Sequence, residues 1–147
     1  MTNSLSRVAA VAGVAAYTMS AALQVYRSQQ GTGLAIDQFT VLSVVVYGAM
    51  LALSLALLTD RRWVWWTAVV ANAAIFVQAP FVYWPTVYAA RPLEVWDWLE
   101  GVWFTALLLV VVCCGVARIA GARLVGPSAR VDRTVDAAPV TAVPARS

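Results

Sequence analysis

Four long stretches of this chain contain no Asp, Glu, Lys or Arg, and this feature constrains the fold more than any other. The stretches cover residues 8–26, 38–59, 63–90 and 101–117. About 20 apolar residues, rising about 1.5 Å each in a helix, cross the hydrocarbon core of a bilayer. With 62% hydrophobic residues, the 147-residue chain carries more apolar surface than a soluble domain of that size buries. The sequence therefore predicts an all-α membrane protein with four transmembrane helices.

The predicted spans cover about residues 5–26, 38–59, 63–84 and 99–120, so that residues 1–120 form a transmembrane four-helix bundle. The third uncharged stretch is longer than one crossing requires. Pro80 and Pro85 predict that this helix ends at residues 81–84 and that an irregular surface segment follows. Residues 121–147 are rich in Ala, Pro, Arg and Thr without an apolar period, which predicts a disordered cytoplasmic tail.

The arginines predict the orientation of the chain in the membrane. Four crossings place both termini and the turn at residues 60–62 on the same side, together with eight of the ten arginines. Arg27 and Arg91 fall on the other side, which also carries the acidic residues Asp37, Glu94, Asp97 and Glu100. The positive-inside rule therefore predicts cytoplasmic termini and a multi-pass protein of the inner (plasma) membrane. A chain with arginine but no lysine, dominated by Ala and Val, is typical of a GC-rich genome and favours a bacterial origin.

The first span has an alternative interpretation as a cleavable signal peptide. Arg7 precedes a short apolar stretch, and the small residues Ser20 and Ala22 stand at the spacing of a cleavage site. We favour a retained helix because the apolar stretch continues through Leu23 to Tyr26.

Missing residue types exclude several kinds of chemistry. The chain has no His, which excludes His-ligated haem or zinc and His general bases, and no Lys, which excludes Schiff-base chemistry. Its two cysteines, Cys113 and Cys114, are adjacent and do not form the C-x-x-C pair of a thiol oxidoreductase. We therefore expect no enzymatic activity, no cofactor, no metal site and no nucleic-acid partner. The expected partners are the lipid bilayer and a membrane-protein partner or a second copy of this chain.

Small residues recur at every fourth position in the first two spans. This spacing lets helix backbones approach closely in a membrane, so both stripes are predicted to face neighbouring helices. A seam between copies of the chain would use the same pattern. The two stripes are Ala12, Ala16 and Ser20 in the first span, and Gly48, Ala52 and Ala56 in the second.

Polar residues near the middle of the spans form the first candidate ligand site. Tyr17, Tyr47 and Asn72 are predicted to lie at similar depth in the first three spans, and an amide in hydrocarbon requires a partner. One hypothesis is a small-molecule pocket formed by Tyr47, Asn72 and Gln78, with its entrance near Glu100. The other hypothesis is an interhelical hydrogen bond that holds the bundle together, which we favour because no charged residue shares this layer.

The acidic residues before the last span are the second candidate. Pro92 is predicted in the first turn of a helix starting near Leu93, so that Glu94, Asp97 and Glu100 follow at three-residue steps. Acidic residues near a helix N-terminus are favoured by its macrodipole, which is a structural explanation. The functional alternative is an outer vestibule for a cation or an amphipathic amine, lined by these carboxylates beside Trp96, Trp98 and Trp103. Trp63, Trp65 and Trp66 are predicted to form an aromatic belt at the cytoplasmic surface.

Leu23-Gln24 followed by Arg27 resembles the motif of PQ-loop and bacterial half-sugar-transporter proteins. Leu23 stands where that motif has proline, and the interval from Tyr47-Gly48 to Asn72 is longer than in that family. We assign no family on this pattern. The leading hypothesis is a small non-enzymatic accessory or interaction subunit, and the alternative is a small transporter or ligand-binding membrane protein that uses Tyr47, Asn72, Gln78 and Glu100.

Overall fold

The fold was determined as a computed structural model that describes residues 2–31, 38–90 and 92–124. Every regular element in these ranges is helical. The elements are α1 (Thr2–Gln29), α2 (Val41–Ala56) with a 3-10 turn at Leu57–Thr59, α3 (Arg62–Gln78) with a π-helical turn at Ala79–Tyr83, α4 (Trp84–Ala90) and α5 (Val95–Leu124).

Four helical segments are long and apolar enough to cross a membrane: Ser4–Gln29, Val41–Thr59, Arg62–Ala90 and Val95–Gly121. The prediction of an all-helical chain with four such helices is therefore confirmed. α5 continues through residues 121–124, which the sequence assigned to the tail. Residues 125–147, which hold the rest of the predicted tail, lie outside the described residues, as do Asp37 and Arg91.

α1 and α5 form the centre of the packing. α1 packs against both α5 and α2, and α5 also packs against α3, whereas α2 and α3 make few contacts with each other. One core cluster joins Ala9 and Ala12 of α1 to Trp65 and Val111. A second cluster, near the middle of α1, joins Tyr17 to Leu108 and Phe104. α2 therefore packs mainly on α1, and α3 mainly on α5, with little contact between α2 and α3.

The two stripes of small residues, both predicted to face neighbouring helices, differ in burial. Ala12, Ala16 and Ser20 are buried between helices, as predicted. Gly48 and Ala52 are exposed, so the second stripe is wrong as a seam at these two positions, whereas Ala56 is half-buried and packs against the core. Apart from its chain neighbours and the nearby backbone of α2, no atom of the described residues lies within 4 Å of the Cβ position at Gly48. The cause is that α2 packs inward through another face, whose members are Tyr47, Met50, Leu51 and Ser54.

The third span differs from its prediction at the two prolines. The helix does not end at residues 81–84, because a π-helical turn at Ala79–Tyr83 joins α3 to α4 and helical structure continues to Ala90. Trp84 donates its backbone N–H to the carbonyl of Ala79, five residues earlier. A wider turn of this kind accommodates Pro80, which has no N–H to donate, without ending the helix. π-Helical turns are frequent at functional sites, and this one borders the cavity described below.

At the end of the molecule that holds the α2–α3 connection, Asp60 joins three helices. Asp60 adopts a left-handed conformation with φ 52°. Its carboxylate accepts two hydrogen bonds from Arg118 of α5, at 2.9 and 2.8 Å, and one from Ser6 of α1 at 3.5 Å. The hydrogen bonds from Arg118 hold the pKa of Asp60 below its ordinary value.

Trp65 also binds Asp60, through an Nε1–H donor at 2.9 Å, and is 1% exposed. Its assignment to a surface belt is therefore wrong, whereas Trp63 and Trp66 do lie on the outer surface. Trp65 lies inside because it provides both core packing and a hydrogen bond to the turn.

Candidate functional site

A polar stripe runs along one face of α1 toward the end opposite Asp60. Tyr17, Ser20, Gln24 and Arg27 follow at spacings of three, four and three residues, which places their side chains on one side of a helix. Tyr17 to Arg27 spans about 15 Å along the helix axis, roughly half the thickness of a bilayer core. The stripe faces α5, α2 and the π-helical turn.

Arg27 is the charged centre of this site and is only 8% exposed. Its Nη2 lies 2.7 Å from Oδ1 of Asp97, and its Nη1 lies 2.6 Å from Oε2 of Glu100. Nη1 also donates to the hydroxyl of Tyr83 in the π-helical turn, at 3.2 Å. Asp97 and Glu100 are 3% and 8% exposed, so all three charges are largely removed from solvent. The guanidinium thus joins α1 to the first two turns of α5.

Asp97 has a second role at the N-terminus of α5. Its Oδ2 accepts the backbone N–H of Glu94 at 2.9 Å, which caps the helix that begins at Val95. The helix therefore begins later than predicted, and Pro92 lies outside its first turn. The same carboxylate both caps the helix and binds Arg27, which fixes the site at a helix end.

Hydroxyl groups connect Glu100 to α2. Ser20 donates a hydrogen bond to Oε1 of Glu100 at 2.8 Å. The hydroxyl of Tyr47 lies 3.0 Å from Oγ of Ser20 and 2.9 Å from Oε1 of Gln24. A continuous polar chain therefore leads from α2 through α1 to the ion cluster on α5.

Asn72 belongs to a separate, deeper contact. Its Oδ1 accepts a hydrogen bond from the hydroxyl of Tyr17 at 2.7 Å, and its Nδ2 donates to the carbonyl of Ala68 at 2.7 Å. Both Asn72 and Tyr17 are 2% exposed. The amide therefore joins α3 to α1 beneath the polar chain, where its partners are already supplied by the protein.

A cavity of about 240 Å³ lies between α1, α2, the π-helical turn and α5. Its polar lining residues are the ion pair Arg27–Glu100 together with Ser20, Gln24, Tyr47, Gln78 and Thr105. Its apolar and aromatic wall consists of Tyr17, Val46, Ile75, Tyr83, Trp84 and Phe104. Gly101 also lies on the wall, against the ring of Trp84, and a larger residue there would displace that ring.

The structure brings three of the four predicted site residues to this cavity. Tyr47, Gln78 and Glu100 line it, whereas Asn72 is not among its lining residues and contacts Tyr17 behind the wall. Tyr47 and Asn72 do not form the shared layer that was expected, because Tyr47 turns toward Ser20 and Gln24. Only the Tyr17–Asn72 pair of that layer is formed.

The predicted outer vestibule is not formed as expected. Glu94 is exposed, while Asp97 and Glu100 point inward to Arg27. Trp96, Trp98 and Trp103 are about half exposed on the outer surface of α5, on a face that does not line the cavity. Asp97 and Glu100 are buried against α1 whereas these indoles are exposed, so the carboxylates and the indoles do not line a common vestibule.

Sequence reasoning missed Arg27 and Ser20 as members of the site, and it placed Asp97 in an outer vestibule and not beside Arg27. Arg27 was counted only for orientation, yet it is the last polar residue of a stripe at helical spacing on α1. An isolated arginine next to an apolar span, with carboxylates at the start of another span on the same side, is a signal for an ion pair.

No protein-family model, no curated protein and no solved structure matches this chain. Its function therefore has to be inferred from the chemistry of the site. Among the described residues, no three Cys, Asp or Glu side chains are grouped as metal ligands. The site combines a buried ion cluster, hydroxyl groups and aromatic rings around an open volume, a combination that suits the binding of a small amphipathic molecule.

Proposed function

We propose that this protein is a small multi-pass membrane protein that binds an amphipathic small molecule in the cavity beside Arg27 and Glu100, as a transporter or ligand-binding protein. The observation that carries the proposal is the cavity itself, in which an ion pair and hydroxyl groups face aromatic side chains. A polar group on the ligand would contact the ion cluster, and its apolar part would contact Phe104, Ile75 and Val46.

Charged residues within membrane-spanning segments are costly, and they mark substrate and ion pathways more often than surface positions do. A purely structural ion pair would be expected to have protein atoms packed on every side. Arg27 and Glu100 instead border an open volume, which leaves part of their surroundings to a ligand. The volume, about 240 Å³, is slightly below the range of about 300–1,000 Å³ typical of sites for drug-sized ligands, so it suits a smaller molecule.

The cavity also has a route to the bilayer. Val46 of α2 lines the cavity and is 48% exposed, and Gln78 of α3 lines it and is exposed as well. These residues belong to α2 and α3, the two helices that make few contacts with each other. A molecule dissolved in the membrane could enter between them without passing through water.

We further propose the orientation that the arginines predict, in the inner membrane of a bacterium. The contacts of Asp60 with Ser6 and Arg118 support it, because they bring the first turns of α1, the last turns of α5 and the basic α2–α3 connection together at one end of the molecule. With the termini in the cytoplasm, the cavity lies toward the opposite, outer face.

The test of ligand binding uses probes of cavity size. Three naphthalenes with one-carbon substituents (1-naphthylmethylammonium, 1-naphthalenemethanol and 1-naphthoate) are dialysed to equilibrium against the full-length protein in nanodiscs, with empty nanodiscs as the blank. Ala79→Phe places a ring at a cavity-lining position of the π-helical turn, and Ala74→Phe makes the same change at an exposed position of α3. We expect at least one probe to bind above the blank, with affinity reduced at least about tenfold by Ala79→Phe only.

Binding of none of the three probes, or equal binding by both phenylalanine variants, would contradict the proposal. That result would favour the alternative of an accessory or interaction subunit, which uses the outer surface of the helices and not the cavity. The accessory hypothesis predicts a second copy or a partner protein in the purified complex and no effect of Ala79→Phe on the recovery of that partner.

A further inference from the structure

The volume of the cavity limits the size of the ligand that it can hold. A dry cavity of about 150 Å³ in a protein interior holds one benzene molecule. The cavity of this protein, about 240 Å³, is about 1.6 times that size, which provides room for a second fused ring. A third fused ring would require the wall to move. The upper limit on ligand size therefore depends on how firmly the wall is held in place.

The largest side chain of the wall is the indole of Trp84, which directly follows the π-helical turn. Its six-membered ring lies against the backbone of Gly101 in α5. A Cβ atom at Gly101 would overlap Cζ2 of this ring and would lie 2.6 Å from Cη2 and 3.3 Å from Cε2. Carbon atoms in contact are about 3.5–4.0 Å apart. The indole therefore occupies space that is available only because position 101 has no side chain.

Other aromatic rings hold the indole on its remaining sides. The centroids of Tyr83, Tyr88 and Trp98 lie 5.9, 5.8 and 6.1 Å from that of Trp84. Aromatic pairs at these separations attract each other. Tyr88 and Trp98 are 53% and 55% exposed, so the indole connects the wall of the cavity to the outer surface of the molecule. Its position is fixed by these rings and by the backbone of α5 together.

We propose that Trp84 is the size-selecting residue of the cavity and that Gly101 positions its indole, so that the ligand is an amphipathic molecule whose apolar body is no larger than two fused rings. This proposal rests on the proposed function and specifies the ligand class of the same cavity. The selection is steric. A larger body would overlap the indole, which cannot retreat toward α5 because the backbone of Gly101 lies there.

The experiment compares a naphthalene and an anthracene that carry the same substituent. The substituent is the one of the three named above whose naphthalene form binds wild type most tightly, and it stands at the 9-position of anthracene, so that a ring extends to either side of it. Both probes are dialysed against the full-length protein in nanodiscs, with empty nanodiscs as the blank for partition into lipid. We expect the anthracene to bind wild type at least about tenfold more weakly than the naphthalene, because it overpacks the cavity.

Trp84→Ala removes the indole, which is larger than the third ring of the anthracene. The ratio of anthracene affinity to naphthalene affinity should therefore rise at least about tenfold in this variant. Trp103→Ala is the matched control, because Trp103 is 54% exposed on α5 and does not line the cavity. It should leave the ratio within about threefold of its wild-type value.

A double variant tests the role of Gly101. In Trp84→Ala, a side chain at position 101 can enter the space that the indole occupied. Gly101→Leu added to Trp84→Ala refills that space, so the affinity ratio should fall again by at least about tenfold. This reversal distinguishes a change of volume at the indole position from a general loosening of the bundle.

Retained binding of the naphthalene, within about tenfold of wild type, is the measure of an intact cavity. If Trp84→Ala binds neither probe, Trp84→Leu replaces it, because leucine keeps apolar contact with Gly101 and is still smaller than the indole. The affinity ratio should then rise at least about threefold in Trp84→Leu.

Any of the following results would overturn the inference: equal affinity of wild type for both probes, an unchanged ratio in Trp84→Ala, an equal rise in Trp103→Ala, a ratio that Gly101→Leu does not lower again, or loss of both probes in both Trp84 variants. In each of these cases wild type still binds the naphthalene in a manner sensitive to Ala79→Phe, so the proposed function stands while the size-selecting role is wrong. Failure of all three naphthalene probes to bind wild type overturns both.

Discussion

Close approach of α1 and α2 at Gly13 gives a sharp test of the packing. A Cβ atom at Gly13 would lie 2.5 Å from Oγ and 2.9 Å from Cβ of Ser54. Carbon atoms in contact are about 3.5–4.0 Å apart, so Gly13→Ala forces the two helices apart by roughly 0.6–1.1 Å. Ser54 cannot turn away freely, because it is buried and donates to the carbonyl of Met50 at 2.8 Å. Overpacking of this kind costs about 1–3 kcal/mol of unfolding free energy.

Gly48→Ala is the matched control, because the Cβ position at Gly48 is open. Replacement of glycine by alanine in a helix gains up to about 1 kcal/mol, and this variant measures that gain in the same protein. The unfolding free energy of Gly13→Ala should therefore lie about 1–3 kcal/mol below that of Gly48→Ala. Stability is measured by titrating SDS into mixed micelles and following helicity by circular dichroism.

A double variant separates the clash from other effects of the substitution. Ser54→Gly removes both atoms that the new methyl group would meet. Gly13→Ala combined with Ser54→Gly should therefore be destabilised by less than the sum of the two single changes, by at least about 1 kcal/mol. If Gly13→Ala is as stable as Gly48→Ala, or if the two changes at Gly13 and Ser54 are additive, the close contact between α1 and α2 is wrong.

Three further predictions concern the rest of the bundle. The pKa of Asp60 is depressed by Arg118, so its ionised form stabilises the fold above an unfolded pKa of about 3.9, and this stability is lost as pH falls below that value. Asp60→Asn should lower the unfolding free energy by about 1 kcal/mol at pH 7. In SDS unfolding, its difference in unfolding free energy from wild type should shrink below about pH 4, and a difference that stays constant with pH would contradict the ion pair. Asn72→Leu removes the hydrogen bond to Tyr17 and should lower the unfolding free energy by about 1 kcal/mol. This variant should bind the naphthalene probes as wild type does, and weaker probe binding would place Asn72 in the ligand site. A reporter fused after Arg123 should be active only in its cytoplasmic form, and phosphatase activity there would contradict the proposed orientation.

The number and position of the helices could be read from the sequence because they depend on where charge is absent along the chain. A stretch without charges is a local property, and its length sets whether a helix can cross a membrane. The exception was the third helix, where Pro80 and Pro85 suggested an end. The helix instead continues through a π-helical turn that contains Pro80 and through α4, which contains Pro85, and the sequence pattern alone does not show this backbone geometry.

The sequence predicted only in part which face of each helix packs against its neighbours. Both Ala12 and Gly48 belong to stripes of small residues, but only the first stripe is buried between helices. Spacing shows which residues share a face and not which neighbour covers that face. The inner face of α2 carries Tyr47 and Ser54, and the reason is visible only where they meet α1.

Sequence alone thus determined four apolar helices and the arginines and carboxylates that flank them, and it singled out three residues that line the cavity, Tyr47, Gln78 and Glu100. Only the tertiary structure joined Arg27 to Glu100, which is 73 residues away in the chain, and Ser20 to Glu100, 80 residues away. Charges at these separations meet through the packing of α1 against α5. The physical reason is that hydropathy and charge act locally to form each helix, whereas the partner of a buried charge depends on which helices come together.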